Sequence, residues 1–200
     1  DTIYAGRDSD ISQFIIPPAT GDRRLSLLRL LKAQGIEMVQ TIDEVVVEGL
    51  VHHDGTAQEI LKLAPCTVVV PLDQPQGRLA RTLLAPHASA GEAYFYDVAA
   101  WSLPMAFGVE TLIASQPISG ILIPLGPIED PVGRVEQQAG VAYLHRWEGV
   151  SSAKALRAIQ KGGERVDLIT EAIQIQGQDF PAGTLVVRVS SPDTHALVEQ

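Results

Sequence analysis

Two stretches of this chain carry the same pattern of glycines and aliphatic residues about 128 positions apart, and no other feature constrains the fold as much. Phe14-Ile15-Ile16, Gly21, Leu28-Arg29, Gly35, Val45-Val46-Val47 and Gly49 recur as Ala142-Tyr143-Leu144, Gly149, Leu156-Arg157, Gly163, Ile173-Gln174-Ile175 and Gly177, each at an offset of 128. After a shift, Pro65-Cys66-Thr67-Val68-Val69-Val70 is answered by Phe180-Pro181-Ala182-Gly183-Thr184-Leu185-Val186-Val187. Agreement sustained over 36 positions reads as two diverged copies of one supersecondary unit.

Within the first copy, residues 13–17 read as a buried strand that Pro17-Pro18 ends by removing backbone donors. Asp22 stands at a helix N-cap position, Leu25, Leu27, Leu28, Leu30 and Leu31 form an apolar stripe at helical spacing, and Gly35 is placed to close the helix in the left-handed region. Strands are expected at 36–39 and 44–47. The second copy repeats this with Ser151 or Ser152 as cap, a helix to Lys161 and Gly162-Gly163 as the stop. Residues 50–64 are an insertion in the first copy, with helical spacing over 56–63. Each copy closes on a strand, 67–72 and 184–189, followed by a polar, proline-containing turn and a short helix. Residues 86–139 belong to neither copy, and their apolar run from Ile118 reads as a buried strand. The expected fold is α/β: a layered mixed sheet with flanking helices, built from two pseudo-repeated βαβββ-type halves (about residues 11–85 and 140–200) around a central unrepeated segment. One domain over 1–200 is expected, since no flexible linker is visible.

A hydrophobic content of 46% with 20% charged residues is that of a globular domain, and the longest apolar stretch is far short of the roughly 20 residues a bilayer span needs. A net charge of −9, with no basic cluster longer than Arg23-Arg24, argues against a nucleic-acid footprint. The lone cysteine, Cys66, is expected to be a small buried hydrophobe in a strand. The chain opens on Asp1-Thr2-Ile3 without a methionine and without a basic-apolar-small leader pattern, so no signal peptide and a fragment of a longer protein are expected.

Three strings together point to a family. Val70-Pro71-Leu72-Asp73-Gln74-Pro75-Gln76-Gly77-Arg78, then Tyr96-Asp97-Val98-Ala99-Ala100-Trp101-Ser102-Leu103-Pro104 with Phe107-Gly108-Val109, and Phe180-Pro181-Ala182-Gly183-Thr184 resemble the region that follows the catalytic domain in large bacterial zinc carboxypeptidases. The resemblance covers most of the chain, and its middle string is the most specific. It implies a non-catalytic C-terminal accessory domain of a secreted or envelope metallopeptidase. The partner would be its own catalytic domain, and zinc would sit in that parent domain and not in this chain.

The residues themselves offer few sites. Zinc catalysis needs three protein ligands and an open position; His145-Arg146-Trp147-Glu148, with His195 downstream, matches only the short His-x-x-Glu part, at a position where the repeat places a strand end. These three are treated as a decoy, and no metal or other cofactor is expected in this chain. His52-His53-Asp54 reads as a solvated loop, because adjacent strand residues point to opposite faces; His87, beside Pro86, reads likewise. A nucleophile elbow, a phosphate loop and a dinucleotide fingerprint are all missing, so no catalytic residue is assigned. A contact surface is expected at Tyr94, Tyr96, Asp97 and Trp101, with Gln74 and Arg78 from the turn at 73–78 nearby, because residues unique to one place are where a specific role could have been added. The competing readings are a free-standing small-ligand or glycan-binding module and an unrecognised hydrolase.

Overall fold

The computed structural model describes residues 11–86, 102–129, 133, 135 and 137–199. The chain divides into two compact units, Asp1–Glu129 and Asp130–Gln200. The first contains β1 (Gln13–Ile16), α1 (Arg23–Ala33), β2 (Val39–Thr41), β3 (Val45–His52), β4 (Ala57–Leu63), β5 (Val68–Pro71), α2 (Gly77–Leu84), α3 (Leu103–Phe107), β6 (Leu112–Ala114) and β7 (Leu122–Pro124). Its seven strands form one sheet in the order β4-β3-β6-β1-β5-β2-β7. The second contains β8 (Ala142–His145), α4 (Val150–Lys161), β9 (Val166–Leu168), β10 (Ile173–Ile175), β11 (Gln178–Phe180), β12 (Leu185–Arg188) and α5 (Pro192–Val198). Here the sheet is three-stranded, β8-β12-β9, and β10 and β11 form a separate hairpin. The α/β class expected from the sequence holds. Every hydrogen-bonded pair is antiparallel, which refines the mixed sheet expected.

The reason for that uniform direction is a strand inserted late. β1 and β2, joined through α1, run the same way but do not touch; β5 enters between them and pairs antiparallel with both. This is a split βαβ crossover. β8, α4 and β9 form the same arrangement with β12 in the middle. Phe14 pairs with Val70 as Tyr143 pairs with Val187, so on the opening strand the structural counterpart of Phe14 is Tyr143, one residue on from the sequence alignment.

The closing hydrogen bonds correspond as well. Thr41 N–H donates to Thr67 O at 2.9 Å and Cys66 N–H to Thr41 O at 2.9 Å; Ile169 N–H donates to Thr184 O at 2.9 Å and Gly183 N–H to Ile169 O at 2.7 Å. The Thr67 hydroxyl donates to Ala64 O at 2.7 Å, and that of Thr184 to Pro181 O at 2.8 Å. Both crossover helices end in a left-handed glycine, Gly35 and Gly163, with paired bonds from Ile36 N–H to Leu31 O and from Glu164 N–H to Ile159 O. Satisfying the last carbonyls this way stops each helix and turns the chain into the next strand.

In the first unit the sheet is apolar on both faces. Phe14, Ile16, Val68 and Val70 pack with Leu27, Leu28 and Leu31 of α1 and Ala80 and Leu84 of α2. Ile15 and Val69, pointing the other way, pack with Val47, Leu50, Leu63, Leu112 and Ile118. Such fully covered strands read as continuous aliphatic runs, as the sequence of β1 and β5 does.

Three local expectations are corrected. Within 56–63 the chain forms the strand β4, Ala57–Leu63, and not a helix: the turn before it is closed by Gly55 N–H to His52 O and His52 N–H to Thr56 O, both 2.9 Å, and pairing with β3 outweighs a helix of barely two turns. The run from Ile118 is not a buried strand throughout. Only Leu122–Pro124 is extended, at the sheet's edge, and Ile121 is 64% exposed. Cys66 is exposed in the turn before β5 and has φ of +64°, the left-handed conformation its counterpart Gly183 adopts without a Cβ. Its carbonyl accepts from Arg24 Nη2 at 2.8 Å.

The turn makes opposite demands on the two residues. Cys66→Gly is expected to raise stability by up to about 1 kcal/mol, and Gly183→Ala to lower it by about 1 kcal/mol, although nothing crowds a Cβ there, because the cost is conformational. Denaturant titration followed by circular dichroism reads both; equal midpoints for Gly183→Ala and the parent would contradict the assignment.

Candidate functional site

Two groups of polar side chains stand out, one in each unit. In the first unit, the β3–β4 turn and the residues around α3 line a shallow cleft of about 320 Å³ that is wide open to solvent. Pro104, Met105 and Val109 form its apolar wall, and His52, His53, Asp54, Glu110 and Thr111 its polar one. The pairing of His52 with Leu112 draws residues distant in sequence together, so that His52 Nδ1 lies 3.5 Å from Glu110 Oε1. Asp54 Oδ1 accepts from Thr56 N–H at 2.8 Å. That bond, then the Thr56 hydroxyl and the nearby His52, hold the Asp54 carboxyl below its ordinary range, so it is ionised at neutral pH. An apolar wall facing carboxylates and an imidazole suits a small ligand with an aliphatic body and a hydrogen-bonding head. The sequence singled out His52, His53 and Asp54 but not Glu110 or Met105. No local signal could have found these two, since only the pairing of β3 with β6 places them beside the turn.

In the second unit the group is built around Ser152, fully buried in the first turn of α4. Its hydroxyl oxygen accepts from Glu148 N–H at 2.9 Å and lies 2.9 Å from His145 Nε2 and 3.3 Å from Arg146 O. Ser152 therefore ties the end of β8, and the loop after it, to the start of the crossover helix. A separate contact joins Tyr143 Oη to His195 Nδ1 at 2.6 Å, with the two rings edge to face. His145 and His195, read in sequence as a decoy with Glu148, are thus engaged with different partners. Among the described residues no group of three or more His, Cys, Asp or Glu side chains is arranged to hold a metal ion.

The remaining expected contact residues divide in two. Tyr94, Tyr96, Asp97 and Trp101 lie outside the described residues, as does His87. Gln74 and Arg78 are described. Gln74 Oε1 accepts from Glu37 N–H at 2.7 Å, while its Nε2 donates to Glu37 O at 3.0 Å and Pro71 O at 2.5 Å. This amide closes the turn between β5 and α2 onto the segment after α1. Arg78 is exposed in the first turn of α2. No helix among the described residues is long and apolar enough to cross a membrane.

Comparison with family models, curated proteins and solved structures finds no match for the chain.

The two hydroxyls in the second unit differ in what their loss would leave behind. Ser152→Ala removes a fully buried hydroxyl that serves three partners and is expected to cost about 1–3 kcal/mol, whereas Tyr143→Phe removes a half-buried hydroxyl with one partner and should cost about 1 kcal/mol or less. Equilibrium unfolding of the two variants side by side checks the order; a larger loss for Tyr143→Phe would show that Ser152 is not the pin.

Proposed function

We propose that this chain is a non-catalytic accessory domain of a zinc carboxypeptidase-like metallopeptidase, supporting the catalytic domain and offering it or its substrate a contact surface. The reading rests first on the three strings that resemble that family. It is supported by what those strings do where they are described: their distinctive residues are devoted to closing the backbone. A Cβ on Gly77 would lie 2.0 Å from Leu72 O, so the turn between β5 and α2 admits only glycine there, and Gln74 ties the same turn to Glu37. Gly108 ends α3 in the left-handed region, with φ of +63°. Gly183 and Thr184 make the bonds that seat β12 between β8 and β9. Residues held for geometry in this way characterise a scaffold; a catalytic constellation keeps its polar groups directed at a substrate.

A second reading, a small-ligand module, draws on the cleft beside His52 and Glu110. The two are separated by the gene itself. Reading the frame upstream of Asp1 is expected to reveal a His-x-x-Glu pair and a distant third histidine, and an upstream stop codon would overturn the accessory role. The purified chain is further expected to show no peptidase activity and no stoichiometric zinc by metal analysis. One tightly held zinc that is lost in His145→Ala would overturn the non-catalytic assignment.

A further inference from the structure

We propose that the outer edge of β8 is a docking edge, to which an extended aliphatic strand of a partner protein adds by antiparallel pairing. The backbone directions define the edge. Val189 N–H donates to Val141 O at 2.9 Å, and in the alternating antiparallel ladder that sets Val141, Tyr143 and His145 to bond β12. The N–H and C=O groups of Ala142 and Leu144 point the opposite way, and among the described residues no strand pairs with them.

The first unit shows what such an edge accepts. There the corresponding strand, β1, is paired on both sides, with β5 and with β6. Gln13 and Ile15, the counterparts of Ala142 and Leu144, face Ala114 and Leu112 across the β6 ladder. β6 is a short aliphatic strand whose Leu112 and Ala114 pack in the same core cluster as Ile15 of β1. The partner's strand is accordingly given β6's chemistry: an extended Leu-Ile-Ala-like segment running antiparallel to β8.

Exposed edges invite pairing, and proteins ordinarily guard them with proline or charge. Of the four outer strands of the seven- and three-stranded sheets, three are guarded: β4 carries Glu59 and Lys62, β7 carries Pro124, and β9 carries Asp167, bonded to Arg165 at 2.9 Å and to Arg188 at 3.1 Å. In the small hairpin β11 carries Asp179, while β10, Ile-Gln-Ile, is only three residues long and unguarded. β8, Ala-Tyr-Leu-His, has neither proline nor a carboxylate, lysine or arginine. Apolar side chains flank it instead, Val141 80%, Trp147 44% and Val150 65% exposed. Main-chain bonds along an edge with apolar contacts at its ends are the elements of strand addition. This inference is independent of the peptidase reading.

The test uses the whole 200-residue chain and a fluorescent synthetic peptide of the β6 sequence, Val-Glu-Thr-Leu-Ile-Ala-Ser-Gln. Binding should saturate, and hydrogen exchange at the Ala142 and Leu144 amides should slow when the peptide is added. Leu144→Pro removes an N–H that β12 does not use and should weaken binding at least tenfold; Ala142→Lys, which keeps the backbone intact, should weaken it in the same direction and serves if the proline variant does not fold. No binding, binding with exchange at Ala142 and Leu144 unchanged, or equal affinity in the folded variants would overturn the proposal. So would a dimer of the chain that Ala142→Lys dissociates, which would make a second copy the occupant.

Discussion

The seating of one late strand between two earlier ones is the constraint on which the rest of this structure depends. β1 and β2 are separated by a helix and share no hydrogen bond, so α1 has no continuous sheet to pack on until β5 arrives some fifty residues after β1 begins. The Thr41, Cys66 and Thr67 bonds lock that strand at its entry, and Gln74 locks it at its exit. Closing so long a loop costs entropy that only the completed sheet can offset. The leucines of α1 and the valines of β5 are complementary halves of one core for this reason.

The two units treat the second face of that sheet differently. In the first, Ile15 and Val69 are covered by β3, β4 and β6, and the insertion at 50–64 supplies much of the cover as β4. In the second, the matching positions are Leu144 and Val186, and the matching site of Val39 is Asp167. Its carboxyl, about one quarter exposed between two well-exposed arginines, is held below the ordinary range mainly by the Arg165 hydrogen bond, with Arg188 contributing. A charged trio there suits a face that meets water, where the first unit has aliphatic packing.

The polar residues that drew attention as candidate chemistry largely serve this architecture. His145 and Ser152 anchor a helix start, and Gln74 anchors a turn. The His52–Glu110 cleft is the exception in kind, since its polar groups line an open space between elements. Function on this chain is therefore to be sought at surfaces the closing bonds leave unused: the cleft, and the side of β8 that no strand among the described residues pairs with.

Much was legible in the sequence because its signals are local. A glycine directly after a helical apolar stripe can close the helix in the left-handed region, so Gly35 and Gly163 marked both helix ends; the uninterrupted apolar runs at 14–16 and 68–70 announced strands buried on both faces. The α/β class followed from that alternation. The rest required tertiary structure. Residues 56–63 had a helical spacing, and only the partner strand β3 decided otherwise; Cys66 looked like a core residue, and only the turn that seats β5 placed it in solvent. Strand order, and with it the meeting of His52 with Glu110, depends on contacts between residues far apart in the chain. A sequence encodes its local preferences residue by residue, whereas those long-range pairings are set by which combination of strands buries the most apolar surface at once.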